Sequence, residues 1–416
     1  MTGLLIFLVA LLAWVLLSAR LQRWSITSAI VLTGAGLVAA WLPNDTGARL
    51  DTEWVRILIE ATLAVVLFVD ASSIAVGWFR REWQYPLRLL GIGFPLTFLA
   101  GTLVALVVFA GLNPWVAAVI GAALAPTDAA LGLAILDNER IPLRFRQVIN
   151  VESGLNDGLA TPVVAFCIAL AAAEVDHTGA RPVWSAVVQI LLGVGLGALI
   201  GGGTGVLTHL ASTRRLAEPL LVPLVPLAVA VGTYVAVVAL GGNGFVGAFV
   251  SGVAFGAAHD SGRRAAPDHE PPVAPAQLLT FTRRTAQLMA LAVWFVFGAA
   301  VLSRIDLATI PRVVLYAVLS LTVLRMVPVA LAAIGLRLPW DTVLLAGWLG
   351  PRGLASIIFA LLAAEEIGGA DGDFILEVVA VTVALSVVAH GLSAGPLAVW
   401  YARRHPSDPE PDDARV

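Results

Sequence analysis

Apolar residues run along this chain in long blocks, each closed by a short cluster of arginine, proline, glycine or acid. A helix needs about 17–25 residues to cross hydrocarbon, and shorter or broken runs are expected where transporters unwind helices. Thirteen segments follow from the pattern: Leu4 to Leu17, Ile26 to Trp41, Val55 to Ala75, Leu89 to Ala110, Trp115 to Leu136, Val148 to Ala173, Val183 to Leu210, Leu216 to Leu240, Phe245 to Ala258, Leu288 to Leu302, Val313 to Leu336, Val343 to Ala364, and Phe374 to Trp400. The pattern predicts an all-α polytopic membrane protein of about 13 transmembrane helices. The first segment has neither a basic leader nor an Ala-x-Ala-like cleavage site, so it reads as a retained helix. The longest polar interruption, His259 to Pro275, reads as a cytoplasmic linker dividing scaffold helices from the last group.

Several blocks carry polar residues where lipid-facing helix should be apolar. Val151-Glu152-Ser153-Gly154-Leu155-Asn156-Asp157-Gly158 opens the sixth segment with two carboxylates, an amide and a hydroxyl. An acid at the centre of a spanning helix costs at least about 2.5–3.5 kcal/mol, so it persists mainly where it pairs, lines a cavity or moves an ion. Glu152 and Asn156 are four residues apart, as are Ser153 and Asp157, which makes two adjacent polar stripes on one side of a helix. This face is the expected site. Glu60 stands in the third segment among Ile57, Leu58, Ile59 and Leu63, with Asp70 nearly three turns on; the plain reading is an acid paired for structure.

Two segments are interrupted by a proline that stands with a charged residue. Ala125-Pro126-Thr127-Asp128 breaks the fifth, and Leu349-Gly350-Pro351-Arg352-Gly353 breaks the twelfth. Proline removes a backbone hydrogen bond, and the freed carbonyls must find a partner, of which a cation is one. Paired interruptions of this kind point to an inverted-repeat secondary transporter with its site where two broken helices cross. Half-helix ends carry roughly half a unit charge, so Asp128 and Arg352 are expected to compensate the facing ends as braces. Arg325, inside the eleventh segment, needs a buried counter-charge, and Glu152 is the natural candidate. Small residues through Ser251-Gly252 in the ninth segment imply close helix contact. His390, in the last segment, reads as a hydrogen-bonded packing residue.

Composition sharpens this picture. With 59% hydrophobic and 13% charged residues, the chain has too little polar surface for a soluble globule. The net charge of −3 argues against a nucleic-acid partner. All 25 basic residues are arginine. Without lysine there is no Walker A loop and no Schiff base, so an ATP-driven pump of that design and retinal or pyridoxal chemistry are excluded. Cys167 is the only cysteine and reads as a small buried apolar residue. If connections alternate sides, eighteen arginines fall on one side and five on the other, with Arg325 and Arg352 inside helices. Cytoplasmic loops are the arginine-rich ones, so the amino terminus is expected outside and the carboxy terminus in the cytoplasm.

Glu152-Ser-Gly-Leu-Asn-Asp157-Gly, Ala125-Pro-Thr-Asp128 and Gly350-Pro-Arg352-Gly-Leu-Ala-Ser together resemble the monovalent cation/proton antiporters, specifically sodium/proton exchangers of the NhaP and NHE type. The resemblance covers nearly the whole membrane region. It implies that Asp157 alternately carries proton and cation, that Ser153 and the Thr127 backbone carbonyl give oxygens to the ion, and that Asp128 stabilises the helix crossing. Glu60, eight residues before Phe68, falls where related transporters place an acid near the ion. Asn156 holds the place that is aspartate in the electrogenic branch, where a lysine commonly pairs with it; with asparagine here and no lysine, the pattern implies electroneutral exchange. It also implies a homodimer in the plasma membrane lipid, no cofactor, scaffold helices at about 1–84 and 183–302, core helices at about 85–182 and 311–402, and a short cytoplasmic tail at 403–416.

The chemistry follows without the name. Burial disfavours a carboxylate's charged form, so a buried acid gains proton affinity. A cation stabilises the ionised form and a proton neutralises it, so the two compete for one group. Oxygen-only ligands suit a hard alkali cation such as Na⁺, Li⁺ or K⁺. The rivals are potassium/proton exchange, a cation channel, for which no Thr-Val-Gly-Tyr-Gly filter is present, and a membrane enzyme, for which no nucleophile stands beside a positioned base.

Overall fold

A computed structural model describes residues 2–42, 53–73, 84–128, 138, 140–175, 181–265, 275–305 and 310–405. Among the described residues all regular structure is helical, and eight helices are long and apolar enough to cross a membrane. In chain order the helices used below are α1 (Thr2–Arg23), α2 (Ser28–Trp41), α3 (Glu53–Ser72), α4 (Gln84–Val108), α5 (Pro114–Ala123), α6 (Leu143–Val175) and α7 (Arg181–Thr213). They continue with α8 (Val225–Ala239), α9 (Gly244–Ala265), α10 (Thr280–Val301), α11 (Ile310–Leu321), α12 (Val323–Ala333), α13 (Trp340–Trp348), α14 (Leu354–Ile367) and α15 (Gly369–Arg404).

Helix ends follow local chemistry. Thr27 and Asn113 accept from the Ile30 and Trp115 amides and so satisfy donors at the starts of α2 and α5. Two departures from the sequence pattern have local causes. α9 runs to Ala265, well into the stretch expected as linker, because no proline stands in its way until Pro267; residues 266–274 lie outside the described set. The eleventh segment divides at Thr322, where the backbone leaves helical geometry (φ −113°, ψ −91°) and the Thr322 hydroxyl bonds the Val318 carbonyl at 2.6 Å. α4 and α10 each contain a single π-helical stretch, Leu89–Gly93 and Phe297–Val301. The far half of the fifth segment, from 129 to 137, lies outside the described residues.

The chain forms two compact units. One comprises Met1–Gly47, Glu82–Asn156 and Trp294–Val416, and holds both proline-broken segments. In it α2 lies so close to α10 that side chains at Gly36 and Gly298 would overlap the facing backbone, and Thr33 Oγ1 bonds the Trp294 carbonyl at 3.3 Å. α4 and α5 meet through Gly101 and Gly121, and Tyr316 of α11 donates to the Gly101 carbonyl at 3.2 Å.

The other unit comprises Ala48–Arg81 and Asp157–Val293. Gly193, Gly197, Gly201 and Gly205 recur every fourth residue of α7 and lie on the backbone at Asn243, just before α9, and at Gly247, Ser251 and Phe255 within it. Helices in lipid gain no hydrophobic drive from each other, so close van der Waals approach between small residues holds such a pair. Gly252 and Gly256 let α9 meet α3 at Phe68 and Ser72 in the same way, and Ser72 Oγ bonds the Gly252 carbonyl at 3.1 Å. Phe68 and Phe255, with centroids 5.6 Å apart, centre a core that includes Val65, Val69, Val229 and Ala230.

Candidate functional site

The two proline breaks meet in space. α5 ends at Ala123 and the chain runs non-helically through Asp128; α13 ends at Trp348 and α14 begins only at Leu354. The Asp128 N–H donates to the Pro351 carbonyl at 2.8 Å, and the Leu354 N–H donates to Asp128 Oδ2 at 3.1 Å. A carboxylate therefore sits at the amino end of α14, where the helix dipole is positive. The reciprocal contact comes from Arg352, wholly buried, whose Nη1 donates to the Ala125 and Pro126 carbonyls at 2.7 and 2.9 Å just past the carboxyl end of α5. Each break thus fills hydrogen-bonding groups that the other leaves open.

Gly353 is required by this crossing. Its backbone (φ −139°, ψ −141°) has negative φ, yet a Cβ there would overlap the Asp128 carboxylate. The glycine serves close approach rather than a special dihedral.

α6 brings Glu152, Ser153 and Asn156 to the same region. Asn156 Nδ2 donates to Thr127 Oγ1 at 2.6 Å, and Thr127 Oγ1 lies 3.3 Å from Ser153 Oγ. Thr127, Ser153 and Asn156 are all buried. The family resemblance implies a role for the Thr127 carbonyl; the described contacts add its hydroxyl, which ties the first break to α6. Asn156 Oδ1 is buried with no hydrogen-bond partner among the described residues, so the amide keeps a neutral acceptor oxygen unused there. Asp157 is 7% exposed and follows Ser153 by one helical turn, and its carbonyl accepts from Thr161 Oγ1 at 2.9 Å. An oxygen-rich, water-poor set of this kind is what a hard monovalent cation needs to replace its hydration shell.

Glu152 turns to another partner. Arg325 Nη2 donates to Glu152 Oε1 at 2.5 Å, and both side chains are 2% exposed. The break at Thr322 starts α12 two residues before Arg325, and Gly350 leaves room for the guanidinium, since a Cβ there would crowd Arg325 Nε. Glu60 lies apart from this cluster in sequence, and its carboxylate accepts from Arg56 Nε at 2.8 Å one turn back on α3.

One contribution escaped the sequence reading. The Arg352 N–H, freed by the break, donates to Ser386 Oγ of α15 at 2.7 Å. The available signal was weak: Ser386 and His390, four residues apart in an otherwise apolar run, make a small polar stripe like that of α6.

The comparisons with known proteins agree on what this scaffold is. The chain is 26% identical over 376 residues to the K(+)/H(+) antiporter NhaP of Alkalimonas amylolytica, covering 88% of this chain and 57% of that protein. It is 31% identical over 204 residues to the uncharacterized Na(+)/H(+) exchanger Rv2287 of Mycobacterium tuberculosis, covering 48% of this chain and 35% of that one. The matches thus span roughly a third to somewhat over half of these relatives' own length. The solved structure of the sodium proton antiporter MjNhaP1 from Methanocaldococcus jannaschii at pH 8 superposes with a TM-score of 0.75 at 18% identity, over 97% of this chain and 99% of that one, and so shares its fold. The family model for the sodium/hydrogen exchanger transmembrane region matches residues 6–400, and the chain belongs to that family.

Proposed function

We propose that this protein exchanges a monovalent cation for a proton across the membrane, one for one, with Asp157 as the group the two share. The observation that carries the reading is the meeting of both broken segments beside α6, where Thr127, Ser153 and Asn156 cluster one turn before Asp157. A carboxylate in such surroundings holds either a proton or a cation, and both cannot bind it at once. Exchange follows if the empty, charged form does not cross. Ser153, Thr127 and Asp157 supply the cation's oxygens, Asn156 holds Thr127, and the pairs Asp128–Leu354, Arg352–Ala125 and Arg325–Glu152 keep the frame rigid. Glu60, paired with Arg56, is assigned a place beside the ion path only through the family pattern. The absence of lysine supports electroneutrality, since no second proton carrier of that type exists.

The same reading sets thirteen spans in the plasma membrane, amino terminus outside and carboxy terminus cytoplasmic. It makes the active form a homodimer in lipid, with helices at about 85–182 and 311–402 moving against those at about 1–84 and 183–302. Sodium is the first candidate cargo. Potassium is the second, because a relative matching 88% of this chain is named a K(+)/H(+) antiporter.

Proteoliposomes with an acidic interior test this: external Na⁺, Li⁺ or K⁺ is added and interior pH is followed by a quenched dye, with and without a potassium–valinomycin clamp. The expected result is alkalinisation that ignores the clamp and disappears in Asp157→Asn. Proton movement retained in that variant sinks the assignment of Asp157, and a voltage-following current without proton movement replaces the antiporter with a channel.

A further inference from the structure

Unwinding a helix inside a membrane frees backbone groups that no lipid can satisfy, so something in the protein must hold each one. At Leu349–Gly353 the Pro351 carbonyl and the Leu354 N–H are held by Asp128 of the opposing break. The Arg352 N–H is held differently, by Ser386 Oγ at 2.7 Å. Ser386 belongs to α15, a continuous helix carrying neither break.

Ser386 is itself held. His390 Nδ1 lies 3.0 Å from the Ser386 carbonyl and 3.1 Å from Ser386 Oγ, with Ser386 0% and His390 2% exposed. A carbonyl oxygen only accepts, so in the tautomer with its proton on Nδ1 the imidazole donates to the Ser386 carbonyl, with Oγ as second acceptor. The Trp348 ring packs on the imidazole at 4.9 Å between centroids, and its Nε1 donates to Ser393 Oγ at 2.9 Å. α15 therefore grips the broken segment at two points, at Trp348 before the gap and at Arg352 within it.

We propose that Ser386 is a positioning residue of the exchange site and that His390 fixes it through Nδ1. Holding the Arg352 backbone aims the guanidinium at the Ala125 and Pro126 carbonyls, and those carbonyls belong to the break that presents Thr127. Without the Ser386 hydroxyl the buried Arg352 N–H loses its acceptor, the gap shifts to find another, and the cation loses aligned oxygens. This rests on the antiport reading above.

The test pairs each disruptive variant with a mimic in full-length protein. Ser386→Ala removes the acceptor, and Ser386→Thr keeps it. His390→Asn places an amide N–H near the position of Nδ1, whereas His390→Gln places it near Nε2. In proteoliposomes the apparent KM for Na⁺ is expected to rise about tenfold in Ser386→Ala and His390→Gln, and to stay within about twofold in Ser386→Thr and His390→Asn. A merely structural role would lower the yield of folded protein without this KM split. In parallel, deuterium uptake of peptides containing the Arg352 amide is expected to speed up in Ser386→Ala. If Ser386→Ala does not accumulate, Ser386→Cys, a weaker acceptor of similar size, is read in both assays.

Wild-type KM and wild-type amide protection in the serine variant overturn the proposal, as do equal defects in His390→Asn and His390→Gln. If wild-type protein exchanges no cation at all, the antiport reading fails on its own. Amide protection then decides the serine: faster exchange keeps the backbone anchor, and unchanged exchange removes it.

Discussion

Replacing Arg325 with alanine takes the guanidinium from Glu152 and leaves a carboxylate 2% exposed to solvent. The cost is set by that burial. Breaking a buried, hydrogen-bonded pair by removing one partner costs about 3–5 kcal/mol, mainly because the remaining charge is uncompensated. At about 1.4 kcal/mol per factor of ten, this lowers the folded-to-unfolded ratio by roughly two to nearly four orders of magnitude. The Arg56–Glu60 pair offers an internal control, since Arg56 is 56% exposed and exposed pairs contribute about 0–1 kcal/mol. Thermal melts of purified protein in detergent, followed by tryptophan fluorescence, are expected to show a large drop for Arg325→Ala and a small one for Arg56→Ala. The double variant Arg325→Met with Glu152→Gln removes both charges and fills much of the volume, so it is expected to recover most of the loss. An Arg325→Ala melt indistinguishable from Arg56→Ala, or a double variant worse than the single, would refute the reasoning.

Three further outcomes follow from the packing and the charges. Gly353→Ala drives a methyl into the Asp128 carboxylate, so cation affinity measured in proteoliposomes should fall at least tenfold, whereas unchanged affinity would mean that the crossing yields easily. Gly201→Ala presses on the Ser251 backbone and should cost about 1–3 kcal/mol in a melt, while Gly203→Ala, with nothing within 4 Å, should be neutral or stabilising; equal effects would deny that α7 and α9 are held by close approach. At the start of α13, burial alone would raise the Asp341 carboxyl, but the His405 hydrogen bond at 2.9 Å, the His405 charge and the Thr342 N–H outweigh it and hold the carboxyl below its ordinary range. A depressed carboxyl stabilises above its unfolded value and loses that contribution as pH falls through the folded one. Asp341→Asn should therefore lower the melting temperature at pH 7, with the gap to wild type closing below about pH 4, and a gap constant with pH would rule this out.

Much of the site could be read from residue order because lipid makes polarity expensive. Four polar residues within α6, and two prolines that stand with a charged residue inside apolar runs, stand out against a background that tolerates neither without a reason. Helical period then assigns Ser153 and Asp157 to one stripe and Glu152 and Asn156 to the next, with no tertiary knowledge needed. Ser386 was less visible, since one serine in an apolar run has an ordinary local explanation and only its distance to Arg352 changes the reading. The division at Thr322 was hidden for a related reason: the residues around it are apolar on both sides, and hydropathy is blind to backbone angle.

Sequence alone determined that the chain is membrane-embedded and helical, that two helices are broken, and which acids lie at the breaks, because each of these depends on composition and on spacing of a few residues. Tertiary structure decided the partners. Apart from Arg325 and Glu152, whose pairing the need for a counter-charge already predicts, Asp128 sits on Leu354, Arg352 on Ala125 and Pro126, and Asn156 on Thr127, contacts between residues 29 to 227 positions apart. An unpaired group in lipid announces that it needs a partner, but which of several distant groups provides it depends on how the helices pack, and that is settled by small-residue contacts and backbone breaks acting together across the fold.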